Sequence, residues 1–92
     1  IYTRKIVGSA DVYKDSNLLR GSTGSAVRNL QEYLQVLARG VESVPYVAAD
    51  GIFGAQTETA VKAAQRYFGL TPNGVVGPLL WYAIAEYYYY NV

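Results

Sequence analysis

Three stretches of this chain repeat apolar residues at helical spacing. In "LRGSTGSAVRNLQEYLQVLARG" the residues Val27, Leu30, Leu34 and Leu37 recur at intervals of three and four, the stripe of an amphipathic helix. Ser22 or Thr23 is expected to cap its N-terminus through a side-chain oxygen. Gly40 is the expected stop, in the left-handed conformation that glycine adopts without strain. In "AQTETAVKAAQRYFG" the residues Thr57, Val61, Ala64 and Phe68 share a face, and Gly69 ends the helix. In "GPLLWYAIAEYYYY" Pro78 suits the first helical position, where its missing N–H costs nothing. Leu80, Trp81, Ile84 and Tyr88 then form the buried side. The pattern predicts an all-α fold, a small three-helix bundle, with Val41 to Ala49 as a connection.

The N-terminal residues carry no such period. Ile1 to Val7 could form a short extended segment broken by Gly8-Ser9, and Asp15-Ser16-Asn17 is turn-like. Residues 1–18 are therefore read as a linker or entry arm, and residues 19–92 as the domain.

Two internal repeats stand out. Ala26-Val27-Arg28-Asn29-Leu30-Gln31-Glu32-Tyr33-Leu34 matches Ala60-Val61-Lys62-Ala63-Ala64-Gln65-Arg66-Tyr67-Phe68 at an offset of 34 residues. Asp50-Gly51-Ile52-Phe53-Gly54 returns 23 residues later as Asn73-Gly74-Val75-Val76-Gly77. This second device reads as a helix entry. Asp50 or Asn73 starts a turn through its side-chain oxygen, and Gly51 or Gly74 takes a positive φ. Ile52-Phe53 or Val75-Val76 puts two apolar groups into the core. Gly54 or Gly77 then sits at the N-cap of the next helix, whose free N–H groups attract anions. Gln31 and Gln65 fall at the edge of the apolar stripes. They suit either hydrogen bonds to loop backbone or a ligand contact.

Composition narrows the chemistry. The chain has 92 residues, and 51% of them are apolar, enough for one small core. It contains no cysteine and no histidine. That removes the usual zinc ligands and Cys-His or Ser-His nucleophiles. A lone Asp50 cannot supply a calcium loop, and no Lys-Ser/Thr follows Gly54 as a phosphate loop needs. No metal and no cofactor is expected. The net charge of +1 is spread without a basic stripe, so nucleic acid is not an expected partner. The apolar run from Val75 to Ala85 is too short to span a bilayer. The chain starts at Ile1 and has no leader pattern, so it is read as a fragment or mature piece. The ten tyrosines, four of them at Tyr87 to Tyr90, suit a half-buried helix end or a sticky aromatic surface.

Together these blocks resemble the peptidoglycan-binding domain found on bacterial cell-wall hydrolases. Gly21, Gly24, Val27, Leu30, Gln31 and Leu34 match its first block. Asp50, Gly51, Phe53, Gly54, Thr57, Ala60, Val61, Gln65, Gly69 and Leu70 match the second, and Gly74, Val76, Gly77 and Trp81 the third. The match runs over about residues 19–85. Asn73, Leu80 and Ala64 stand where the family pattern has aspartate, threonine and phenylalanine, so the second loop departs from the family pattern where the first keeps it. In animals the domain precedes metalloproteases with a cysteine-bearing segment. The lack of cysteine favours the bacterial reading.

The resemblance implies a non-catalytic module that holds an attached hydrolase on peptidoglycan, outside the cell or in the wall. The implied ligand is a glycan strand or stem peptide with free carboxylates and amides. Asp50, Gly51, Phe53, Gly54, Thr57 and Gln65 are the candidate contacts, extended by Gln31, Tyr33 and Trp81. Phe53 and Trp81 also belong to the expected core. Two alternatives remain: an interaction or spacer module without a glycan site, and an enzyme using Asp50 and Glu58 as a carboxylate pair.

Overall fold

The computed structural model describes residues 17–91. The expected structure of Ile1 to Val7 and of the turn at Asp15-Ser16 lies outside that range. Within it, three helices follow in order: α1 (Ser25–Gly40), α2 (Ala55–Tyr67) and α3 (Pro78–Asn91). Among the described residues the only β pairing is two isolated antiparallel bridges, Leu18 with Val76 and Thr23 with Ile52. No helix among them is long and apolar enough to cross a membrane.

The core follows the apolar stripes. Val27, Leu30, Leu34 and Leu37 of α1 are fully buried, and α1 packs on both α2 and α3. Val61 and Ala64 of α2 and Leu80, Trp81 and Ile84 of α3 close the bundle. Small residues on α2 (Ala60, Ala63, Ala64) let it lie close to its neighbours, while Trp81 fills the space beside Tyr33, ring edge against ring at 5.6 Å. Val41, Val44 and Val47 also turn inward, and the side-chain amide of Gln35 donates to Val47 O at 2.9 Å, so the long connection is tied to the bundle.

Three expectations are corrected. The N-cap of α1 is Gly24, with no side-chain cap, rather than Ser22 or Thr23. Ser22 Oγ accepts from Leu19 N–H, and Thr23 is engaged in the bridge to Ile52. Gly24 itself has φ 116° and ψ −169°, a region open essentially to glycine alone. Gly40 is the last helical residue and not a left-handed cap; Val41, extended, follows it. Glycine is needed there for space, because a Cβ would run into the Tyr87 hydroxyl. Finally, only one of each apolar loop pair is buried. Phe53 and Val76 point inward, while Ile52 is 57% exposed and Val75 is half-buried. Successive side chains of an extended segment face opposite ways.

Candidate functional site

The two helix-entry loops are built on one plan, and a buried glutamine organises each. Gln31 of α1 is 1% exposed. Its Oε1 accepts from Gly51 N–H at 2.8 Å. Its Nε2 lies 3.0 Å from Ile52 O, 3.0 Å from Thr57 Oγ1 and 3.1 Å from Asp50 Oδ1. Asp50 Oδ1 also accepts from Ile52 N–H at 2.9 Å, which closes the turn. Gln65 of α2, 3% exposed, repeats this for the next loop. Its Oε1 accepts from Gly74 N–H at 2.9 Å, and its Nε2 donates to Asn73 Oδ1 at 2.9 Å and Val75 O at 3.1 Å. Asn73 Oδ1 accepts from Val75 N–H at 2.9 Å. A glutamine suits this place because its amide offers an acceptor and two donors at one point, matching loop groups that would otherwise be buried unpaired.

Both turns require a positive φ, 77° at Gly51 and 79° at Gly74. At Gly51 a side chain would also press on the Gly24 carbonyl, 3.3 Å from the position of its Cβ. Gly24 N–H donates to Gly51 O at 2.9 Å, and Phe53 exchanges backbone bonds with Gly21 and Ser22. The segment before α1 is thereby sewn to the loop before α2.

An open groove of about 180 Å³ lies over the start of α2, lined by Val47, Ala48, Asp50, Ile52, Gly54, Ala55, Gln56 and Thr57. The first backbone bond of α2 runs from Glu58 N–H to Gly54 O, so the N–H groups of its first turn are not used within the helix. The Asp50 carboxyl is held below the usual aspartate range, chiefly by the Ile52 N–H bond and then by the Gln31 amide. Both of those bonds fall on Oδ1, and Asp50 itself is exposed. The groove therefore presents a fixed negative oxygen beside backbone donors.

The sequence candidates divide between surface and interior. Asp50 is exposed, and Gly51 and Gly54 are half-buried. Phe53, Thr57, Gln31, Gln65, Tyr33 and Trp81 are all buried. Gln31 and Thr57 join Asp50 in one hydrogen-bonded cluster, with Gly51 bonded to the same amide. Gln65 belongs to the other loop. Phe53 and Trp81 are core, as their apolar rings suggested. Glu58 does not line the groove that holds Asp50; Arg20 binds its carboxylate at 2.6 Å. Sequence reading missed Val47, Ala48, Ile52, Ala55 and Gln56 as groove walls. For Gln56 a signal existed: it is the second residue of a predicted helix, off the apolar face.

Residues 23–84 match the family model described as "Putative peptidoglycan binding domain". This chain belongs to that family. Over 68 residues it is 40% identical to the N-acetylmuramoyl-L-alanine amidase CwlL of Bacillus licheniformis, covering 74% of this chain and 18% of the amidase. Over 66 residues it is 39% identical to an uncharacterized protein in the bpoA1 3′ region of Kitasatospora aureofaciens, covering 70% of this chain and 51% of that protein. The chain thus spans about half or less of these relatives. Among solved structures it resembles the SleB N-terminal domain with a TM-score of 0.72 at 25% identity, over 84% of this chain and 99% of that one.

Proposed function

We propose that this chain is the non-catalytic targeting module of a bacterial cell-wall hydrolase, acting at the wall, and that the groove at the start of α2 takes a stem peptide. Membership of a peptidoglycan-binding family supports the ligand class. The match to part of a wall amidase supports a catalytic partner in the same polypeptide. The observation that carries the site is that the Asp50 carboxylate and the first turn of α2, whose N–H groups are not used within the helix, line one groove whose loop is held by Gln31.

In this reading a peptide carboxylate or carbonyl sits on the N–H groups, where the helix dipole favours negative charge. An ammonium or amide N–H of the same peptide reaches Asp50. Gln31, Thr57 and Phe53 serve from beneath by fixing the loop, and Gly51 and Gly54 keep its backbone open. Gln65, Tyr33 and Trp81 contribute through the frame.

Asp50→Asn separates binding from folding, because Asn73 shows that an asparagine makes this turn with the same bonds. The variant should fold normally and be retained on purified sacculi about fivefold less than the parent, the scale of one exposed charge-assisted bond. Equal retention of the two would remove Asp50 from the site. No retention of the parent above a control protein would favour the spacer reading instead.

A further inference from the structure

A second groove, of about 380 Å³, lies over the start of α3. It is the internal counterpart of the first. Asn73, Val75, Gly77, Pro78, Leu79 and Leu80 occupy the positions that Asp50, Ile52, Gly54, Ala55, Gln56 and Thr57 occupy around α2. The frame is the same and the chemistry is inverted. All ten residues lining the second groove are uncharged, so a cation entering it would lose water without meeting the counter-charge that Asp50 supplies in the first. Leu79, 74% exposed where the first groove has Gln56, stands beside Pro78 as an apolar wall.

The polar difference is equally specific. Val75 N–H and the Gln65 amide both donate to one atom of Asn73, which identifies that atom as the carbonyl oxygen. The Gln65 amide is itself oriented by the Gly74 N–H on its Oε1. Asn73 Nδ2 is therefore the atom left outward, a donor at the place where Asp50 offers an acceptor. No aromatic ring lines the groove to stack on a sugar face.

We propose that this groove is a second binding subsite, for an uncharged peptide segment with small alkyl side chains, such as an alanyl-alanyl unit. Asn73 Nδ2 donates to a peptide carbonyl, and Pro78 and Leu79 pack on the methyl groups. Leu18 pairs with Val76 and Thr23 with Ile52, so the two grooves are joined through a segment spanning roughly 17 Å at most. The biological setting rests on the wall-module reading; the subsite's chemistry does not.

The test is amide NMR on the intact chain, titrated with acetyl-alanyl-alanine amide and, separately, with N-acetylglucosamine. The neutral peptide should give saturable shifts at Thr71, Val75, Leu79 and the Asn73 side-chain amide. The variant Asn73→Asp/Leu79→Gln copies the first groove's residues, so the loop has a working precedent for its fold. It should bind the peptide at least about fivefold more weakly. No saturable shift at these positions, an unchanged affinity in the variant, or shifts there with the sugar alone would overturn the proposal. Sacculus retention of the parent is measured in parallel. Retention without peptide shifts overturns the subsite and leaves the wall reading standing; peptide shifts without retention do the reverse.

Discussion

Gln31 and Gln65 show how much one buried side chain can decide. Each is an amide placed where a loop turns back toward the core, and each bonds the N–H of a positive-φ glycine. Replacing Gln31 with leucine would keep the volume and strand Gly51 N–H and Ile52 O beneath the loop. We expect Gln31→Leu to lower unfolding stability by about 2–4 kcal/mol, two unsatisfied groups at about 1–3 kcal/mol each with some relaxation, read from urea unfolding. A loss under about 1 kcal/mol would mean that water replaces the amide freely. The position of these glutamines at the stripe edge was legible in the sequence. Which way they pointed was not, because an amide at a helix edge can serve loop or ligand equally well.

At the level of elements, local signals placed the helices well and their ends less well. Apolar period set α1, α2 and α3, and Pro78 marked the start of the last. The ends of α1 depended on contacts far along the chain. Thr23 was drawn into a bridge with Ile52, and Gly40 owes its place to Tyr87 rather than to a cap. Tyr87 is in turn held edge-on against Tyr67 at 6.4 Å. Part of the tyrosine run therefore packs on the bundle, with Tyr88 against Tyr33 at 4.7 Å, while Tyr90 is 64% exposed. Gly40→Ala is expected to destabilise by about 1–2 kcal/mol through overpacking. In a Tyr87→Phe background the hydroxyl is gone and the same change should be neutral or stabilising, since alanine is the better helix former. Thermal melts of the four proteins in this cycle would show it; equal costs in both backgrounds would acquit the hydroxyl.

Across the whole molecule, the residues before α1 tie the two loops together. Leu18 and Val76 exchange both backbone bonds, at 3.1 and 2.8 Å, over a fully buried valine. A chain beginning at Ser22 would orphan the Val76 N–H. It should lose about 1–3 kcal/mol against one beginning at Asn17, seen as a lower melting temperature. Equal melting of the two would show that the domain needs nothing before Ser22, and that its edge lies beyond the position read from sequence.

The sequence by itself determined three helices, the repeated turn and the family. The helices and the turn rest on signals confined to a few neighbouring residues: the 3.6-residue period, a side-chain oxygen that starts a turn, and glycine's tolerance of positive φ. The family rests on three such blocks in order. Tertiary structure decided which polar side chains were spent inside and which stayed at the surface. Gln31, Gln65 and Thr57 went inward because the loops brought unpaired groups to them. Asp50 and Asn73 stayed exposed, with Oδ1 of each engaged by the loop and by a glutamine. The turn bonds to Ile52 and Val75 N–H are local and were legible; the inward choice of the glutamines depends on partners 8 to 26 residues away, which no local pattern encodes.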